Sequence, residues 1–137
     1  MRKIASIVFL MSFLFFHLGT VPSYAQGKEI DIIVDGIWES NFGKLVLVQH
    51  GNSIEGHYTH DKGKIKGRLE GNVFIGKWME QPTYKPRRDA GDVRLVFAKD
   101  GKSFSGHWRY GFGGTSWNGK WTGKKLDHQA RLSSSIL

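Results

Sequence analysis

Apolar and polar side chains alternate at every second position along most of the chain. Alternation with period two is typical of β-strands that bury one face and expose the other. Beyond the N-terminal segment, no stretch of ten residues carries apolar residues at helical spacing. Turns rich in Gly, Asn and Asp divide the alternating stretches into eight short strands. The predicted connections are residues 40–43, 50–52, 60–63, 70–72, 80–92, 99–101 and 110–114.

Six of the eight predicted strands share one format, in which a glycine stands between two apolar residues on the same face. These glycines are Gly36, Gly56, Gly67, Gly76, Gly106 and Gly119. Glycine packs nothing in a strand, so its recurrence there requires a geometric reason. In a closed sheet, small residues let large rings from neighbouring strands interleave. The sequence therefore predicts an all-β fold, an eight-stranded antiparallel up-and-down β-barrel.

The N-terminal segment has the three regions of a secretory signal peptide. Arg2 and Lys3 precede an apolar run over residues 4–18, and small residues lead to Ala25. This order predicts a signal peptide over residues 1–25, cleaved after Ala25, and a secreted or periplasmic product. The remaining chain is predicted to form one barrel domain over residues 26–123, with a flexible polar tail over residues 124–137.

Composition narrows the candidate functions. The chain has 137 residues and no Cys, which excludes a disulfide scaffold, a cysteine metal site and a thiol nucleophile. Without Arg2 and Lys3 it keeps 18 basic against 12 acidic residues, a net charge of +6. In an exported domain this charge favours an anionic glycan, an envelope surface or an acidic protein over nucleic acid. The alternative is that the charge only keeps the domain soluble.

The longer connections all follow odd-numbered strands, so they meet at one end of the predicted barrel. Loops on a rigid scaffold and barrel mouths are common binding sites. Each odd strand brings an aromatic residue to this end, followed by a polar group two positions later. The predicted site residues are Trp38 and Ser40, Tyr58 and His60, Trp78 and Glu80, and Trp108 and Tyr110, with Trp117 entering on strand 8. They predict a pocket for a small apolar or amphipathic ligand; the alternative is a barrel interior filled by the aromatics.

The longest connection carries Lys85, Arg87 and Arg88. One hypothesis is that it folds over the mouth as a basic lid and binds a carboxylate, phosphate or sulfate group of the ligand. The alternative is a solvated turn.

An enzyme is not expected. The one constellation at the rim is Ser40, His60 and Glu80, and these residues lie on strands that are not neighbours, so we expect no direct hydrogen bonds across the mouth. His57 and His60 are three positions apart and face opposite sides of a strand, so no metal site is expected, and no cofactor is indicated.

A second hypothesis places the function on the outer surface. Lys64, Lys66 and Arg68 line the outer face of strand 4, and this basic stripe suits an anionic polymer or an acidic protein. Under this hypothesis the protein is a macromolecule-binding or inhibitor-type barrel that acts through its basic surface. Apolar residues on outer faces, Val46 and Val48 with Val73 and Ile75, suggest a homo-oligomer interface as a further alternative.

The segments Gly36-Ile37-Trp38-Glu39-Ser40-Asn41-Phe42-Gly43 and Ile54-Glu55-Gly56-His57-Tyr58 resemble the start of the avidin family, a group of calycin-type barrels. The resemblance implies a secreted eight-stranded barrel that binds a ligand at its loop-rich end. The family's binding residues fall on Ser40 in place of Asn, on Lys44 and His60 in place of Ser, and on Tyr58, which is retained. With only Tyr58 in common, the resemblance does not imply biotin binding. The chain is also similar to small secreted bacterial proteins of unknown function that repeat Gly-x-Trp and Gly-x-Tyr strands.

Overall fold

A computed structural model describes residues 32–127. The predicted signal peptide and residues 128–137 of the predicted tail lie outside the described residues. Within the described part, no helix is long and apolar enough to cross a membrane.

Eight antiparallel strands, each hydrogen-bonded to the next in sequence, close into a barrel through the pairing of the first with the last. The strands are β1 (Gly36–Ser40), β2 (Gly43–His50), β3 (Ser53–Tyr58), β4 (Gly63–Glu70), β5 (Val73–Met79), β6 (Ala90–Phe97), β7 (Ser103–Trp108) and β8 (Gly119–Lys125). A short 3₁₀ turn, η1 (His60–Lys62), lies between β3 and β4. The predicted fold class is confirmed.

Two glycines of β8 leave space for aromatic rings of β7, and one of them, Gly119, is among the six predicted strand glycines. A Cβ on Gly119 would meet the indole ring of Trp108, and one on Gly123 would meet the ring of Phe104. These glycines lie directly opposite the two aromatic residues in the pairing of β7 with β8. Each ring therefore lies across the neighbouring strand, in the space that a side chain would otherwise fill.

The strand boundaries differ from the prediction at both ends of the domain. β1 begins at Gly36 and not at Val34, because Gly36 has a φ of 136° and redirects the chain. β8 begins at Gly119, two residues after the predicted start at Trp117, and continues to Lys125. Lys124 and Lys125 pair with β1, so the strand that closes the barrel runs past the predicted domain boundary at residue 123.

The segment before β1 seals one end of the barrel. Ile32 and Val34 are 4% and 0% exposed. Gln49 of β2 holds them, because the backbone N–H of Val34 donates to Gln49 Oε1 at 2.8 Å and Gln49 Nε2 donates to the carbonyl of Ile32 at 3.1 Å. We call this the closed end; its connections are residues 51–52, 71–72 and 98–102.

The opposite end, the mouth, carries three of the four longer connections that the sequence predicts there. Residues 59–62, 80–89 and 109–118 form these three. The fourth, between β1 and β2, is a turn of only two residues, because β2 begins at Gly43.

Candidate functional site

A cavity of about 130 Å³ lies at the mouth. Six aromatic residues, one histidine and one glutamate line it: Phe42, Tyr58, His60, Trp78, Glu80, Trp108, Tyr110 and Trp121. Tyr58, Trp78 and Trp121 are buried, whereas Tyr110 is 50% exposed and His60 is exposed. The cavity therefore has an apolar floor inside the barrel and a rim in contact with solvent, the usual composition of a small-molecule site.

Six of the nine predicted pocket residues line the cavity. They are Tyr58, His60, Trp78, Glu80, Trp108 and Tyr110. The other three, Trp38, Ser40 and Trp117, do not line it, and the physical reason differs for each residue.

Trp38 lies deeper in the barrel and belongs to the core. It is 0% exposed and packs against the rings of Phe97 and Phe104, with centroids 5.3 and 5.4 Å away. Its indole N–H donates to the carbonyl of Val34 at 3.0 Å. The closed half of the barrel is thus filled by side chains, which is the alternative weighed for the whole interior.

Ser40 stabilises the β1–β2 turn. Its hydroxyl donates to the carbonyl of Gly43 at 2.8 Å and accepts the N–H of Phe42 at 3.1 Å. The short turn uses the hydroxyl locally, so the assignment of Ser40 to the pocket is wrong.

Trp117 lies on the outside of the barrel, because β8 begins two residues after it. Its side chain is 40% exposed. The centre of its ring lies 4.5 Å from the guanidinium carbon of Arg109 and 6.2 Å from the ring centre of the outward-facing His107. The prediction that Trp117 enters the mouth is wrong.

The sequence prediction missed two lining residues, Phe42 and Trp121. With β8 beginning at Gly119, Trp121 is the first bulky inward residue below the mouth on that strand. Its ring packs against Phe42 and Tyr58, with centroids 5.0 and 4.9 Å away. The correct strand start would have identified Trp121. Phe42 lies in the β1–β2 turn, where strand alternation says nothing of its direction.

Tyr58 and Glu80 form a hydrogen bond across the mouth. The phenol O–H of Tyr58 donates to Glu80 Oε1 at 2.7 Å. β4 lies between their strands, but Gly63 of β4 is paired with Tyr58, and a Cβ on Gly63 would overlap the Tyr58 ring. The missing side chain lets the ring reach over β4. The expectation about hydrogen bonds concerned Ser40, His60 and Glu80; the bond from Tyr58 was not predicted.

Burial has the largest effect on the ionisation of this pair. It raises the pKa of Glu80, with nearby Asp61 and Asp89 acting in the same direction and the hydrogen bond from Tyr58 and the charge of His60 opposing it. The pKa of Tyr58 is also raised, first by burial and then by donation to Glu80. Tyr58 therefore stays protonated, and its proton is available to the carboxylate.

Trp121 carries an unsatisfied hydrogen-bond donor. The indole N–H of Trp78 donates to the carbonyl of Arg109 at 3.1 Å, and that of Trp38 is also bonded. Trp121 is only 2% exposed, and its buried indole nitrogen has no acceptor among residues 32–127. A buried donor without a partner costs roughly 1–3 kcal/mol.

The loop between β7 and β8 fixes Tyr110 at the rim. The guanidinium of Arg109 pairs with Asp92 of β6 at 2.8 Å, and the N–H of Gly113 donates to the same carboxylate at 2.8 Å. The N–H of Tyr110 donates to Asn118 Oδ1 at 3.0 Å. The Arg109 side chain is only 16% exposed. The rim is therefore held by hydrogen bonds and an ion pair within the protein.

The predicted basic lid does not cover the cavity. Lys85, Arg87 and Arg88 are exposed and do not line it. The loop folds on itself instead, because the carboxylate of Asp89 accepts from the backbone N–H of Thr83 at 3.1 Å and from its hydroxyl. The solvated-turn alternative describes this loop better.

The basic stripe on β4 is largely paired with acidic or aromatic neighbours. Lys66 lies 2.7 Å from Glu55, and Arg68 lies 2.6 Å from Glu70. The ammonium of Lys64 lies 5.4 Å from the ring centre of Tyr84.

The outer apolar residues do not form one patch. Val48 of β2 and Ile75 of β5 are 41% and 43% exposed, but β3 and β4 lie between their strands. The proposed oligomer interface through these residues is therefore divided in two.

His60, Asp61 and Glu80 bring possible metal-ligand atoms within 4.8 Å of one another. Two of the three are exposed, and exposed carboxylates often lie this close without a metal ion, so the cluster by itself defines no metal site. His57 lies on the outer face of β3, away from His60, as predicted from its spacing.

No protein-family model, curated protein or solved structure matches the chain. The resemblance to the avidin family rests on the short motifs of β1 and β3 and stays a prediction.

Proposed function

We propose that this protein is a small-molecule-binding β-barrel that holds a compact apolar or amphipathic ligand in the cavity at its mouth. The observation that carries the proposal is the cavity itself, about 130 Å³ in volume, with buried aromatic rings on its floor and the carboxylate of Glu80 among its lining groups. An apolar group of a ligand would pack against these rings, and a polar group would lie at the rim beside Glu80 and His60.

The size of the cavity limits the ligand. Its volume of about 130 Å³ is close to that of engineered apolar cavities, roughly 150 Å³, that bind benzene. One ring or one compact branched group fits inside, and a longer ligand would extend past Tyr110 into solvent.

The proposal is for binding without catalysis. Ser40 is the hydroxyl nucleophile of the predicted rim constellation, and it is engaged in the β1–β2 turn, outside the cavity. The remaining polar pair is Tyr58 and Glu80, which are hydrogen-bonded to each other on the cavity wall, and their polar atoms interact with the bound group.

The same proposal places the protein outside the cytoplasm, on the strength of the signal-like sequence of residues 1–25. An intact mass equal to that of a chain starting at Gln26 would support cleavage after Ala25. The mass of a chain starting at Met1 would contradict it.

The alternative function, a macromolecule-binding barrel acting on an anionic glycan or acidic protein, has weaker support. Its strongest feature was the stripe on β4, where Lys66 and Arg68 already have acidic partners.

Native mass spectrometry of the protein purified from its own cells tests the proposal. We expect extra mass that disappears on denaturation, is reduced in Trp121→Phe and is kept in Trp117→Phe, a matched change outside the barrel. A second measurement follows the Trp121 indole N–H by NMR during titration with phenol and with choline. Bare protein in the native spectrum together with an unshifted Trp121 resonance would overturn the proposal.

A further inference from the structure

The walls of the cavity are aromatic rings set at steep angles to one another. Trp78, Trp108 and Tyr110 have centroids 5.1–5.6 Å apart, with interplanar angles of 82°, 89° and 67°. Trp121 and Tyr58 meet at 73° on the floor. Rings in this arrangement form the sides of a box, not a stack into which a flat ligand slides. Boxes of aromatic rings are the usual receptors for alkylated ammonium groups.

The charge around the box is negative, in contrast to the net positive charge of the chain. Glu80 lines the cavity, and Asp61 places a carboxylate oxygen within 4.8 Å of the Glu80 carboxylate. Lys85, Arg87 and Arg88 do not line it, and His60 is the only basic side chain that does. One oxygen of Glu80, Oε1, accepts from Tyr58, and Oε2 accepts no hydrogen bond from residues 32–127. An anion would meet repulsion here, and a cation would find a counter-charge.

The cations of the protein itself stack on other rings. Among the described residues the cation–π pairs are Lys64 on Tyr84, Lys77 on Phe112, Arg109 on Trp117 and Lys125 on Trp38. No lysine or arginine of the described part lies over the rings that line the cavity. These rings are therefore available to a cation from outside.

We propose that the cavity selects a small organic cation, an ammonium group carrying methyl groups, held by the aromatic rings and by the carboxylate of Glu80. This inference rests on the proposed function and names the ligand class for the same site. A quaternary ammonium group is comparable in size to one aromatic ring and so fits the cavity. Its charge is spread over its methyl groups, which favours contact with aromatic faces and with the carboxylate of Glu80.

A matched pair of compounds separates this inference from the proposed function. Choline and 3,3-dimethylbutan-1-ol have the same shape and the same hydroxyl, but choline has a positive nitrogen where the alcohol has a neutral carbon. Binding is followed by tryptophan fluorescence and by the Trp121 indole resonance. We expect choline to bind at least about tenfold more tightly than the alcohol.

Each outcome has one meaning. Tighter binding of choline at the Trp121 resonance supports the inference. Equal or tighter binding of the alcohol overturns the cation inference and leaves the small-molecule site in place. If neither compound shifts Trp121 and the protein from its own cells is bare, both proposals fail. If neither compound binds but native spectra show another bound molecule, its measured charge decides, and a neutral or anionic molecule overturns the inference.

Charge-matched variants test the role of the carboxylate. Glu80→Gln keeps an acceptor for Tyr58 but removes the negative charge, and we expect choline affinity to fall about tenfold while the affinity for the alcohol stays unchanged. Glu55→Gln removes the same charge from the outer face of β3, and we expect choline affinity to change less than about twofold. Equal losses in the two variants would show a general charge effect and overturn the role of Glu80.

Discussion

The closed half and the mouth half of the barrel interior are built from the same kinds of side chain and have different roles. In the closed half Trp38, Phe97 and Phe104 are fully packed, and Trp38 has an acceptor. In the mouth half Trp121 has no acceptor within the described part of the chain, and a cavity lies beside it. The difference comes from what covers the rings. Ile32 and Val34 seal one end, while the loops at the other end fold around an opening.

The largest expected effect is on stability, and it tests whether Trp38 belongs to the core and Tyr110 to the candidate site. Trp38→Ala should lower the free energy of unfolding by about 3–5 kcal/mol, because it removes a buried ring from a packed interior. Tyr110→Ala should cost less than about 1 kcal/mol, because the ring is 50% exposed. Chemical denaturation measures both. Similar losses in the two variants would erase the distinction between the halves.

The next effect concerns the space that glycine leaves for Tyr58. Gly63→Ala should lower the free energy of unfolding by about 1–3 kcal/mol, because the new Cβ overlaps the Tyr58 ring. The displaced ring should lose its hydrogen bond, so the pKa of Glu80 should rise further. Denaturation and an NMR titration of Glu80 measure the two results. In Gly114→Ala the Cβ would lie 3.5 Å from Arg109, an ordinary contact, so this control should change neither value.

A pair of identical substitutions sharpens the comparison. Trp38→Phe leaves the carbonyl of Val34 without its donor and should cost about 1–3 kcal/mol. Trp121→Phe removes the same ring atoms from a buried site but a donor without a partner among residues 32–127, so in the ligand-free protein it should cost about 1–3 kcal/mol less than Trp38→Phe. Thermal and chemical unfolding without ligand measure both. A loss in Trp121→Phe as large as in Trp38→Phe would show that the Trp121 N–H is satisfied in solution.

The smallest effect is a pH dependence whose sign is set by Glu80. Because its pKa is raised above the ordinary 4.5, its contribution to stability is fully present below pH 4.5 and is lost as the pH rises through the folded-state value. The stability of the wild type relative to Glu80→Gln should therefore fall over this range. Glu55, whose pKa is lowered by its hydrogen bond with Lys66, should show the opposite sign in Glu55→Gln. Unfolding curves from pH 3 to pH 8 measure both.

Most of the fold could be predicted because one physical rule, the alternation of buried and exposed positions, operates in every strand. The strand order could be predicted from the short connections, because these leave strands that are neighbours in sequence as neighbours in the sheet. It failed at the first and last strands. Gly36 turns the chain away from the sheet, and the β7–β8 loop extends through Trp117, and neither event changes the alternation of the sequence.

The site could be predicted where it depends on strand direction and not where it depends on turns or on contacts across strands. Tyr58, Trp78 and Trp108 follow from alternation. Phe42 lies in a turn, and the bond from Tyr58 to Glu80 requires knowledge of which residue of β4 lies between them. Long-range contacts of this kind depend on register, which the pattern of one strand does not contain.

Under the proposed function, the seal formed by Ile32 and Val34 also determines how a ligand would exchange with the interior. A barrel open at both ends would allow entry at one end and release at the other. With the closed end sealed, association and dissociation must follow one route past Tyr110 and His60. The residence time of a bound molecule is then controlled by the loops at the mouth. Mutations in those loops are expected to change how long a molecule stays, while mutations in the closed half change only how firmly the barrel holds together.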